Sequence, residues 1–347
     1  MFFARKRSDP PAMTLEGVLG PNSRLDEAAG MQVSAPGALA VTAQGQLLFS
    51  SGSAVQRLRA WGGKAERWAE FPARVTALAC SPGGRVAVGL EGGGLVVADE
   101  AGRLLDGWTA PADLLSATDC LFLSEDEVAV VDNGYGAGEP FLALAPWDDA
   151  ARGKVVAIAR AGAPRVVAGG LHCPMGVAQT RAGELAISQL ERANIVAPGG
   201  ALLQSGFPGY PGRLRRTETG YVLACLSRRD PLVEFLKTER DFVAEMKARI
   251  EPRHWIGPRA NPEFSHDFPI ELGAARLFGE VKPWAPSFSY GLVIELSDHF
   301  VPVASAHSRA NGARHAISDV CVWNGALLAV SSASGEILNL GVGSLAA

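Results

Sequence analysis

A short apolar unit recurs along most of this chain, and the recurrence constrains the fold more than any single residue does. Leu39-Ala40-Val41 leads to Leu47-Leu48-Phe49 across Gly45, and Ala77-Leu78-Ala79 to Val86-Ala87-Val88 across Gly83-Gly84. Gly176-Val177-Ala178 leads to Leu185-Ala186-Ile187 across Gly183, and Val320-Cys321-Val322 to Leu327-Leu328-Ala329 across Gly325. A further copy, Arg213-Leu214-Arg215 to Val222-Leu223-Ala224 across Gly220, has basic residues in its first strand. A degenerate one runs from Cys120-Leu121-Phe122 to Val128-Ala129-Val130 over Glu125-Asp126. Each reads as a strand, a tight polar turn and a second strand. One small sheet of this kind cannot bury both faces alone, so repeated sheets must stack on one another. The pattern predicts an all-β, six-bladed β-propeller.

A chain of 347 residues is long for one core, but a ring distributes its core among the sheets. Its 40 glycines suit many hairpin turns. The net charge of -4 argues against a nucleic-acid partner, which needs a basic face. No apolar run approaches a membrane span, and the basic start Met1 to Arg7 is followed by Pro10-Pro11 rather than an apolar leader. Five scattered cysteines (Cys80, Cys120, Cys173, Cys225, Cys321) with no paired spacing read as free thiols of a cytoplasmic protein.

Residues 1–14 read as a loose tail, and 15–347 as a single propeller domain. The last unit shows about three strands, so residues between about 15 and 34 are expected to supply its missing strand, because an open edge invites aggregation. A long step between the fifth and sixth landmarks holds an insertion, 229–288, between blades five and six. Its first part, Asp230 to Ile250, has amphipathic helical spacing and stops at Pro252. The remainder, rich in Pro and Trp, is expected to cover one face of the ring.

Three stretches carry a family resemblance. Phe207-Pro208-Gly209-Tyr210-Pro211-Gly212-Arg213-Leu214-Arg215-Arg216, Leu171-His172-Cys173-Pro174-Met175-Gly176-Val177-Ala178 and Ser289-Tyr290-Gly291-Leu292-Val293-Ile294-Glu295-Leu296 resemble the strictosidine synthase-like group. That group is related to the SMP-30, gluconolactonase and arylesterase propellers. The resemblance spans about residues 35–340 and implies a site at one mouth of the central channel. It also implies a calcium site in many relatives, and here the chain departs. Gly37 stands where relatives carry Glu, Met175 where they carry Asn, and Gly212-Arg213 where they carry Asp-Asn. A hard dication needs several oxygens, carboxylates among them, so neither a metal nor another cofactor is expected.

Aligning the units brings Asp119, Arg213 and Asp319 to the start of innermost strands in blades three, five and six. The Arg213 guanidinium is expected to occupy the metal's region, paired with one or both aspartates. Asp319 falls where the resemblance places an acid/base Glu, one methylene longer. Asp319 as base, with Arg213 or His315 stabilising negative charge, is the catalytic reading; mutual neutralisation of buried charges is the structural one. Asp132, Met175, Gln189, Ser227 and Ser332 lie near the same mouth by alignment. His307 and His315 belong to a loop that lies either at the mouth or on the surface. The aromatics Trp255, Trp284, Phe288 and Tyr290 either line a pocket or form the insertion's own core. Cys173 lacks a visible activating base. Three functions stay open: a metal-independent enzyme on a small organic molecule, a ligand-binding or scaffold propeller with a decayed site, and a lactonase or esterase.

Overall fold

In a computed structural model the structure describes residues 15–261, 276–277, 280–281 and 289–346. The expected tail 1–14, Trp284 and Phe288 lie outside the described residues. The hairpin units fold as anticipated. Leu39 pairs with Phe49, Ala40 with Leu48 and Val41 with Leu47, and Gly45 turns the chain at a φ of 74°. That left-handed conformation costs glycine little because it has no Cβ.

Six sheets form. Their innermost strands are Pro36–Val41, Val75–Cys80, Asp119–Ser124, Pro174–Gln179, Gly209–Arg216 and Ile317–Trp323. Each contacts the next, and the sixth returns to the first, so the ring is closed. Blade two has three strands, with a single Ala98–Leu104 bridge at the fourth position. The sixth blade takes its outer strand, Ala29–Gln32, from early in the chain; it pairs with Glu336–Asn339 from Ala29↔Asn339 to Gln32↔Glu336. The core is distributed between blades: Leu48, Val55 and Phe71 of blade one pack with Leu78 and Val88 of blade two, for example.

The helical insertion follows Gly220–Arg228, and the chain returns as Gly291–Ser297. These two strands pair with each other, from Gly220↔Ser297 to Cys225↔Leu292. Both ends of the insertion are thus anchored in blade five rather than in the link to blade six. The amphipathic stretch forms two helices, Pro231–Thr238 and Arg240–Arg249, because Glu239 leaves helical geometry between them. Asp230 caps the first by accepting from Leu232 N at 2.8 Å. Val233, Met246 and Trp255 pack against Trp147 of the loop after blade three's second strand, so Trp255 belongs to the insertion's core. Among the described residues no helix is long and apolar enough to cross a membrane.

Candidate functional site

The site is made by irregularities in the innermost strands. In blades one, two and six the pairing register slips between Pro36 and Leu39, between Val75 and Ala77, and between Ile317 and Asp319. Such bulges leave a peptide group outside the ladder and re-aim it. The displaced carbonyls of Gly37, Thr76 and Ser318, with that of Thr118 at the head of blade three, converge on the guanidinium of Arg213. Its Nε donates to Thr118 O at 2.9 Å; Nη1 donates to Gly37 O at 2.5 Å and Ser318 O at 3.1 Å; Nη2 donates to Thr76 O. One side chain of blade five therefore holds blades one, two, three and six. Blade four comes close because Gly176 has no Cβ; one there would lie 2.7 Å from Arg213 Cα and 2.6 Å from Leu214 N.

Two residues along the strand, and so on the same face, Arg215 takes the carboxylates. Its Nη1 and Nη2 bind Asp119 at 2.7 and 2.8 Å, and Nη2 reaches Asp319 at 3.1 Å. Arg213 stands further from them, 3.7 Å from Asp119 and 3.2 Å from Asp319. Each aspartate also staples its blade to the next: Asp119 accepts from Val177 N at 3.0 Å and Asp319 from Leu39 N at 2.9 Å. Burial works against the charge of Arg215, but Asp119 and then Asp319 outweigh it, so its pKa ends above the ordinary guanidinium value. The axial pairing expected of Arg213 is thus shared, and Arg215 carries the closer share.

A pocket of about 340 Å³ opens over Arg213. Val75, Met175, Leu226 and Ala316 wall it, with Phe141 and Leu142 of the short helix Phe141–Leu144 and Ala260 of the insertion, and Arg74 and Glu91 are its charged members besides Arg213. Thr76, Thr118, Ser318 and Ser332 are its hydroxyl-bearing residues. Few polar groups on a mainly apolar wall is the usual make-up of a small-molecule site.

Of the residues expected at the mouth, Arg213, Met175 and Ser332 line this pocket. Asp319 and Asp119 are fully buried, and the Asp319 oxygens are occupied by Arg215, Leu39 N and Val320 N. A general base must reach a substrate proton, and Asp319 is enclosed below Arg213 instead. His315 is also fully buried, its Nδ1 3.0 Å from Ser289 Oγ and its Nε2 2.8 Å from Arg309 O; burial lowers its pKa. It packs with Tyr290, whose hydroxyl meets His307 Nδ1 at 3.1 Å. His315, His307 and Tyr290 thus sit in the interior near the join of blades five and six. Asp132 accepts from Leu115 N, Ser116 Oγ and Gly134 N at 2.9–3.0 Å, and so folds a loop. Gln189 bonds His172 N at 2.7 Å and Asn194 at 2.9 Å, and Ser227 is fully buried. Cys173 is buried, and burial pushes its thiol pKa up, away from a nucleophilic thiolate.

No protein-family profile matches the chain, and no curated protein matches it in sequence. Solved structures match its fold. A gluconolactonase from Xanthomonas campestris has 15% identity and a TM-score of 0.55, over 96% of this chain and 95% of that one. Regucalcin, a calcium-binding protein from Agrobacterium tumefaciens, has 11% identity and a TM-score of 0.55, over 91% and 94%. A PQQ-bound aldose sugar dehydrogenase from Streptomyces coelicolor has 13% identity and a TM-score of 0.51, over 90% and 95%. These relations establish the six-bladed propeller and leave the activity to the site. The axis does not fit calcium: a guanidinium already consumes the four converging carbonyls, and a dication beside it would be repelled.

Proposed function

We propose that the mouth pocket binds a small, mainly apolar organic molecule without a metal, and that Arg213 orients the ligand's oxygen end. The observation that carries this reading is the guanidinium fixed on the axis beneath an apolar pocket of about 340 Å³. A positive group held rigidly by the scaffold favours one ligand orientation without reorganising. The test is a fragment screen by thermal shift and ligand-observed NMR in excess chelator. Apolar carbonyl compounds should bind, and Met175→Trp or Leu142→Arg, each checked for an intact fold by circular dichroism, should abolish binding. Hits that persist in both variants, or that require calcium, would remove the proposal.

A second reading, hydrolysis of a lactone or ester in the same pocket, draws on the likeness to gluconolactonase and regucalcin structures over nearly the whole chain. Turnover of a lactone panel that survives chelation and stops in Met175→Trp would favour it over simple binding. The strictosidine synthase-like resemblance of the stretches at 171–178, 207–216 and 289–296 is a resemblance of scaffold; we assign no condensation chemistry from it.

A further inference from the structure

Away from the mouth, positive charge gathers along the insertion helices. A cleft of about 620 Å³ lies between the two insertion helices and the turn after blade four's second strand. Five cations line it, Arg192, Arg229, Lys237, Arg240 and Lys247, against three carboxylates, Asp149, Glu191 and Glu234. The chain as a whole carries -4, so this excess is local. Arg240 and Lys247 are seven residues apart on one helix and share its face.

The internal pairing of the cleft is incomplete. Glu234 is committed to Arg229 at 2.7 Å, Lys237 at 3.5 Å and Tyr210 at 3.4 Å. Lys247 Nζ donates to Trp147 O. The Glu191 side chain is only 5% exposed, and its Oε2 lies 2.9 Å from Arg192 Nε and 3.4 Å from His172 Nδ1. Neither contact has hydrogen-bond alignment, and that oxygen has no hydrogen-bond partner. Arg229 Nε, on a side chain 3% exposed, also lacks one. Buried polar atoms are normally satisfied: the Arg229 Nε donor calls for an acceptor entering the cleft, whereas the Glu191 Oε2 acceptor calls for a proton.

We propose that this cleft binds the oxyanion group, phosphate or carboxylate, of a small molecule, held chiefly by Arg192, Lys237 and Arg240. The site is separate from the mouth pocket and does not rest on its reading. Burial pushes the Glu191 carboxyl up to about 7, while Lys237 and Arg192 pull it down and Asp149 and Glu234 add to the rise. His172, lowered by burial and by Arg192, faces the same carboxyl. As pH falls through that range Glu191 becomes neutral, the cleft gains net positive charge, and anion binding strengthens.

Isothermal titration of the full chain with sulfate and with malonate tests the site. Sulfate keeps its charge across the range, so its affinity should rise about threefold or more from about pH 8 to about pH 6. The double variant Lys237→Ala/Arg240→Ala should weaken both anions about tenfold, and Glu191→Gln should raise sulfate affinity at the higher pH to the lower-pH value. Tighter sulfate indicates a phosphate-type ligand, and tighter malonate a carboxylate. No binding of either anion, or binding unchanged in a double variant that melts as the parent does, overturns the proposal.

Discussion

The channel axis and the insertion cleft both concentrate buried charge, but they treat it in opposite ways. On the axis, Arg213 meets four carbonyls, and Arg215 meets two aspartates that backbone amides also hold. In the cleft, cations exceed carboxylates, and Glu191 and Arg229 keep orphan atoms. A satisfied polar network locks its surroundings, whereas an unsatisfied one is costly until something completes it. The axis is therefore the brace of the ring, and ligands belong above it and beside the insertion.

The largest effect that would break this contrast is expected at Arg215. Arg215→Ala leaves Asp119 and Asp319 buried and should cost about 3–5 kcal/mol by chemical denaturation. A loss close to zero would mean that the axis is not the brace. In the cleft the sign reverses. The folded-state pKa of Glu191 is raised to about 7, so the native protein binds the proton more tightly than the unfolded chain. Stability linked to this group is fully present below the unfolded carboxyl pKa and is lost as pH rises through about 7. Glu191→Gln should consequently stabilise the protein above pH 7, by up to about 3 kcal/mol, and the gain should shrink toward acid pH. Melting curves of both proteins across that range check it. Arg213→Met should be milder, about 1–3 kcal/mol, since it frees carbonyls that water from the mouth can partly solvate. It should abolish the binding of apolar carbonyl compounds at the mouth by thermal shift and ligand-observed NMR.

The ring was legible because hairpin turns at Gly45, Gly183 and Gly325 punctuate strands of matching length. The closing strand was legible too, since a three-stranded last unit needs a partner, which Ala29–Gln32 provides. Arg213 could be placed on the axis by aligning units, and Arg215 was within reach of the same argument, because alternate strand residues share a face. The carbonyl cradle was not legible: bulges at Gly37, Thr76 and Ser318 depend on backbone register, and those residue types do not announce one. Alignment set Gln189 and Ser227 near the mouth, but it gives height along the axis and not depth from it, and both are buried; His315, read as a loop residue, and Tyr290, read with the insertion, are buried as well. The insertion's true anchorage was hidden since its return strand, Gly291–Ser297, looks in sequence like the start of a new unit. The cleft needed that anchorage before Lys237 and Arg240 could be set against Glu191.

A guanidinium tied to four other sheets has a mechanical consequence. None of these four sheets can hinge outward alone without surrendering its bond to Arg213, so opening any one of them loosens the common knot. Protection of the central-strand amides against solvent exchange should then rise and fall together in blades one, two, three and six, as one cooperative unit rather than four.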